Sequence, residues 1–114
     1  MGGMMPALEE YQLRSEDGSR FFLYDQEAKN LFQGGETVHD VLLIDRWIVY
    51  NETRKGQAAL YVLDIETKEE SYLCDVTESA RLYAAHDTHQ FYILEEPTTD
   101  VSLRLYDIEK RDFV

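Results

Sequence analysis

The sequence predicts an all-β fold built from consecutive antiparallel β-meander units, and three observations carry that prediction. The first is an internal repeat. Phe21-Phe22-Leu23-Tyr24-Asp25-Gln26-Glu27, Leu60-Tyr61-Val62-Leu63-Asp64-Ile65-Glu66 and Leu103-Arg104-Leu105-Tyr106-Asp107-Ile108-Glu109 share one form, and their aspartates lie 39 and 43 residues apart. The second is the character of these runs: short and rich in Val, Leu, Tyr and Phe, they suit strands buried on both faces better than helices. The third is that no stretch places apolar residues at i, i+3, i+4 and i+7 between helix caps, so little or no helix is expected. The most helical segment, 75–85 with Thr77 as cap, is expected to form a single turn.

The elements follow in order. Tyr11-Gln12-Leu13-Arg14 leads through Glu16-Asp17-Gly18, a hairpin signal because Asp-Gly tolerates positive φ, into the first repeat segment and then Asn30-Leu31-Phe32. The second unit runs Val41-Leu42-Leu43-Ile44, Asp45, Trp47-Ile48-Val49-Tyr50, a polar connection over 51–57, the repeat segment, and Ser71-Tyr72-Leu73. The third runs Arg81-Leu82-Tyr83-Ala84-Ala85, Asp87, Phe91-Tyr92-Ile93-Leu94, a connection over 95–100, the repeat segment, and Asp112-Phe113-Val114. Each repeat aspartate ends a strand, where its carboxylate accepts backbone N–H groups about two residues on and so begins a turn. One β domain is therefore expected over 8–114, with units at about 8–35, 36–76 and 77–114 and three, four and four strands. Residues 1–7 read as a disordered or expression-derived leader.

The second unit, with Asp45-Arg46-Trp47-Ile48-Val49-Tyr50, Lys55-Gly56, Leu60 to Glu69 and Tyr72-Leu73, resembles one repeat of the TolB-like, or PD40, β-propellers. The third unit shares part of the pattern and the first only its second half; Arg46 stands where those repeats usually have glycine. The resemblance implies β-propeller blades and a binding, scaffolding or gating role. Eleven strands make roughly 2.75 blades, short of the four to eight of closed propellers. Three outcomes follow: two copies completing a six-unit ring, membership of a larger chain, or closure of the units as a single β-barrel or sandwich.

Composition bounds the function. Against 23 Asp and Glu stand 11 Lys and Arg, and the formal charge of −12 disfavours nucleic acid and anionic membrane as partners. Residues 1–57 carry net −4 and residues 58–114 net −8. Cys74 is the one cysteine, which excludes an internal disulfide and a multi-thiolate zinc site; it reads as a buried small residue. No signal-peptide pattern or apolar run of about 18 residues occurs, so the cytoplasm is the favoured compartment.

No nucleophile elbow, cysteine–histidine pattern or phosphate loop assembles, so no enzyme and no cofactor are expected. His86-Asp87-Thr88-His89 has a metal-ligand spacing but lacks further ligands, and a polar turn explains it as well. Trp47 aligns with Phe91 and Tyr11 as a packing aromatic. Asp45 aligned with Asp87 sets His39 opposite Arg81, so the two His-Asp pairs are not repeat equivalents.

The reading is a noncatalytic protein-binding or scaffolding module, self-associating or part of something longer, whose contact loops hold Asn51, Arg54, Lys55, Glu95, Glu96 and Asp100. Alternatives are the gating propeller of a hydrolase and an acidic decoy for a nucleic-acid-binding protein.

Overall fold

Short apolar runs punctuated by turn residues leave the chain one way to bury its side chains, as strands of antiparallel sheets. A computed structural model describes residues 11–16, 20–25, 30–34, 37–96 and 101–114, with side chains from residue 37 onward. Three sheets follow in chain order. The first holds β1 (Tyr11–Glu16), β2 (Arg20–Asp25) and β3 (Asn30–Gly34). The second holds β4 (Val38–Ile44), β5 (Trp47–Arg54), β6 (Gln57–Asp64) and β7 (Glu70–Asp75). The third holds β8 (Arg81–Ala84), β9 (Gln90–Glu95), β10 (Ser102–Asp107) and β11 (Asp112–Phe113). Each is a meander in which consecutive strands pair antiparallel. No helix occurs among the described residues; the segment after β7 makes a single turn, closed by Ala80 N–H donating to Thr77 O. The described strands form three separate ladders, so they do not close into the single barrel held as one alternative.

One connection departs from the sequence reading. Asn51 to Arg54 continue β5, and Gln57 already belongs to β6, so the expected loop over 51–57 shrinks to the two residues Lys55 and Gly56. Both have positive φ, 53° and 80°, the requirement of a type I′ hairpin turn. A Cβ at Gly56 would meet nothing within 4 Å, so glycine is favoured there by backbone conformation alone.

The repeat aspartates end their strands as the Asx-turn argument requires. Asp64 Oδ1 accepts Glu66 N–H at 2.9 Å and Thr67 N–H at 3.2 Å; Asp107 Oδ1 accepts Lys110 N–H at 3.0 Å. Both turns close identically, with Lys68 N–H donating to Asp64 O and Arg111 N–H to Asp107 O, each donor residue at positive φ. The side chain of Asp25 lies outside the described residues.

Strand pairing fixes the repeat register. Ile48 pairs with Leu63 and Phe91 with Tyr106, so Phe91 corresponds to Ile48, 43 residues earlier, and Trp47 corresponds to Gln90. The expected match of Trp47 with Phe91 is thus one residue out. The cause is the preceding turn, two residues between β4 and β5 but five between β8 and β9. Across it the offset drops to 41, making Val41 the counterpart of Leu82.

The sheets stack in series. Val49, Leu60 and Val62 of the second sheet meet Leu82, Phe91, Ile93 and Tyr106 of the third in one buried cluster. Burying each such side chain contributes about 1.5–3 kcal/mol, so this interface is a principal source of cohesion. Val38, Val41, Ile48 and Tyr50 form a second cluster on the other face of the second sheet. β2 of the first sheet touches β4. Between the second and third sheets β4 lies beside β8, where Asp40 Oδ2 accepts Leu82 N–H at 2.8 Å.

Candidate functional site

The six loop candidates divide. Asn51 is fully buried in β5, and its Nδ2 donates to Thr77 O at 3.0 Å and Ala80 O at 3.2 Å, tying the connection between the second and third sheets to β5. It has no surface to offer a partner, which corrects its assignment as a contact residue. Its Oδ1 has no hydrogen-bond donor among the described residues. Arg54 lies over the Tyr61 ring at 3.8 Å and pairs with Glu52 at 2.7 Å and Glu70 at 2.9 Å. Burial raises the Glu70 carboxyl above its ordinary range. Lys55 stands exposed at the hairpin tip. Glu95 accepts Thr77 N–H at 2.9 Å and pairs with Arg104 at 2.6 Å, so it too works within the chain. Glu96 is exposed, and Asp100 lies outside the described residues.

The metal candidates also divide. His86 and Asp87 are exposed in the turn before β9, where Asp87 O accepts Gln90 N–H. His89 points away from them, with Nε2 3.6 Å from Asp107 and Nδ1 3.5 Å from Glu109. The group brought together is His89, Asp107 and Glu109, two of which the spacing argument did not supply. Repeat register explains it. The residues 43 earlier are Arg46, Asp64 and Glu66, and Arg46 pairs with Asp64 at 2.8 Å and Glu66 at 3.2 Å. In both sheets the main-chain carbonyl of the basic residue also accepts the N–H of the buried isoleucine that follows the aspartate, Ile65 or Ile108. His89 therefore occupies the structural place of an arginine.

Burial draws the Asp107 carboxyl upward, but the Lys110 N–H, Gln90 Nε2 and neighbouring His89 outweigh it and hold the group below the usual aspartate value. The same balance lowers Asp64, with Thr67 N–H, Arg46 and Glu66 N–H opposing burial. Burial pushes the Cys74 thiol up to about 11, which leaves little thiolate at neutral pH.

The largest unexplained feature is a face of the third sheet. Tyr83, Tyr92, Val101 and Leu103 are 37 to 65% exposed, with Leu94 and Leu105 half-buried beside them. Register makes Tyr92, Val101, Leu103 and Leu105 the counterparts of Val49, Ala58, Leu60 and Val62. Those four are 0 to 5% exposed, because the third sheet covers them. The same side of the repeat is sealed in one sheet and open in the next. At one end of the open face Ser79, Arg81, Tyr83, Leu94 and Glu96 line a shallow cleft of about 390 Å³. A contiguous apolar face of this kind marks an interaction surface far more often than an isolated exposed leucine does.

No protein-family model matches the chain, and no curated protein matches it. The face was legible only through register: composition shows Tyr83, Tyr92 and Leu103 as core candidates, and pairing is needed to see which side each one occupies.

Proposed function

We propose that this chain is a noncatalytic binding or scaffolding module of β-propeller type, with its protein-binding surface on the open face of the third sheet. The carrying observation is that this face is apolar at the repeat positions that the second sheet buries against a neighbouring sheet. Series stacking of meander sheets, with β4 beside β8, supports the propeller reading. The noncatalytic reading rests on the positions of the reactive groups: His89 sits between two structural carboxylates and the Cys74 thiol is raised to about 11.

Benzophenone photo-cross-linking tests the surface. A photoreactive phenylalanine in place of Tyr92 is expected to form a specific protein adduct, whereas one in place of Tyr72, more exposed on β7 of the second sheet, is not. Equal labelling at the two positions, or no adduct at Tyr92, contradicts the assignment.

A further inference from the structure

We propose that His89, Asp107 and Glu109 form a binding site for one divalent transition-metal ion of the zinc type, independent of the open face. The repeat carries the first part of this. In the second sheet the corresponding places hold Arg46, Asp64 and Glu66, and the guanidinium, a permanent cation, reaches Asp64 at 2.8 Å and Glu66 at 3.2 Å. The third sheet keeps both carboxylates and puts an imidazole where the guanidinium stood. A histidine supplies positive charge only when protonated; as the neutral ring it is the commonest metal ligand. A place arranged around a cation thus keeps its anions and gains a nitrogen donor.

Distance carries the second part. Asp107 Oδ2 lies 3.6 Å from His89 Nε2 and Glu109 Oε1 lies 3.5 Å from Nδ1, both beyond the about 2.7–3.2 Å of an N–H···O hydrogen bond. Two bonds of about 2.0–2.2 Å to one tetrahedral ion set their donor atoms about 3.3–3.6 Å apart, so the gap between Asp107 Oδ2 and Nε2 has the width of an ion. One donor atom from each of the three residues lies within 4.8 Å of the other two. Asp107 is buried and fixed: Gln90 Nε2 donates to Oδ2 at 3.1 Å and Lys110 N–H to Oδ1 at 3.0 Å, the outer support that metal-binding carboxylates receive. Against the upward pull of burial, those donors and His89 hold the carboxyl below its usual range, in the ionised form a ligand needs. Glu109 is exposed on a long side chain, which lets its carboxylate turn to an ion on the Nε2 side, and His89 is itself partly exposed, so an ion can enter from solvent. Imidazole with carboxylates suits zinc and its neighbours, whereas magnesium and calcium take oxygen donors. Such an ion would tie the turn before β9 to the turn after β10.

Isothermal titration calorimetry of the intact chain with zinc chloride at neutral pH, joined to thermal unfolding, tests this. The expected result is one equivalent of zinc bound at micromolar concentration, an unfolding temperature that rises with zinc, and no response to magnesium. His89→Arg restores the arrangement of the second sheet and removes the nitrogen donor; it is expected to weaken zinc binding at least about 100-fold, because even outer partners of a metal site carry about 10–100-fold in affinity. Glu109→Gln, at an exposed position where the fold is not at stake, is expected to weaken it at least about tenfold. His86→Ala, in the exposed part of the same turn, is expected to bind as wild type does. A wild-type chain that takes up no zinc below millimolar concentration, or that takes up magnesium as tightly, overturns the site. So does a His89→Arg or Glu109→Gln variant that binds as tightly as wild type, or a loss in His86→Ala equal to that in His89→Arg.

Discussion

Asp107 shows how one residue type recurs for a local reason and then acquires a second role. Its Oδ1 begins the turn after β10, as Asp64 does after β6, while Oδ2 accepts Gln90 Nε2 at 3.1 Å and faces His89. Because its folded-state pKa lies below the unfolded value, the carboxylate contributes stability above the ordinary aspartate range, and that contribution is lost as pH falls through the folded pKa. Urea unfolding should therefore show wild type losing more stability than Asp107→Asn between pH 7 and about pH 3, where aspartates of pKa near 3.9 protonate. Parallel losses in the two proteins would remove Asp107 from the acid response. The turn role of the aspartates was legible in the sequence, because an Asx turn needs only local residues. The His89 contacts were not, because they depend on which residue the strand register sets beside Asp107.

At the scale of elements, Asn51 joins two pieces of chain. From the middle of β5 it holds the carbonyls of Thr77 and Ala80, and so fixes the connection between β7 and β8. Asn51→Leu keeps the volume and removes the donors, leaving those carbonyls without Asn51. The expected cost is about 1–3 kcal/mol in urea unfolding, the penalty for buried polar groups left unpaired, with faster amide exchange at Ala80. An unchanged urea midpoint would show that Asn51 is merely filling space. The residues after Tyr50 read as a loop because the hydrophobic signal stops at Asn51, yet the ladder continues to Arg54 and Gln57. Backbone pairing carries the hairpin beyond the core, and Glu52, Thr53 and Arg54 find polar partners there: Glu52 with Thr37 and Arg54, Thr53 with His39. The strands and their order were readable from apolar runs and turn residues. Their sidedness was not, since the unequal turns before β5 and β9 shift the alignment of Trp47 by one residue, and a one-residue slip exchanges the two faces of a strand.

For the whole molecule, the all-β meander architecture follows from the repeat, and the repeat in turn exposes an imbalance. Val49, Leu60 and Val62 are sealed, while their counterparts Tyr92, Leu103 and Leu105 stand uncovered or half-covered at the end of the stack. The central claim is that this face is a protein-binding surface. Hydroxyl-radical footprinting of the purified protein and of the protein in an extract of its own host cells tests it at the side chains themselves. Tyr83 and Tyr92 are predicted to lose reactivity in the extract, while Tyr72, exposed on the outer strand β7, stays constant as the internal reference. Reactivity of Tyr83 and Tyr92 that tracks Tyr72 in both conditions would contradict the account.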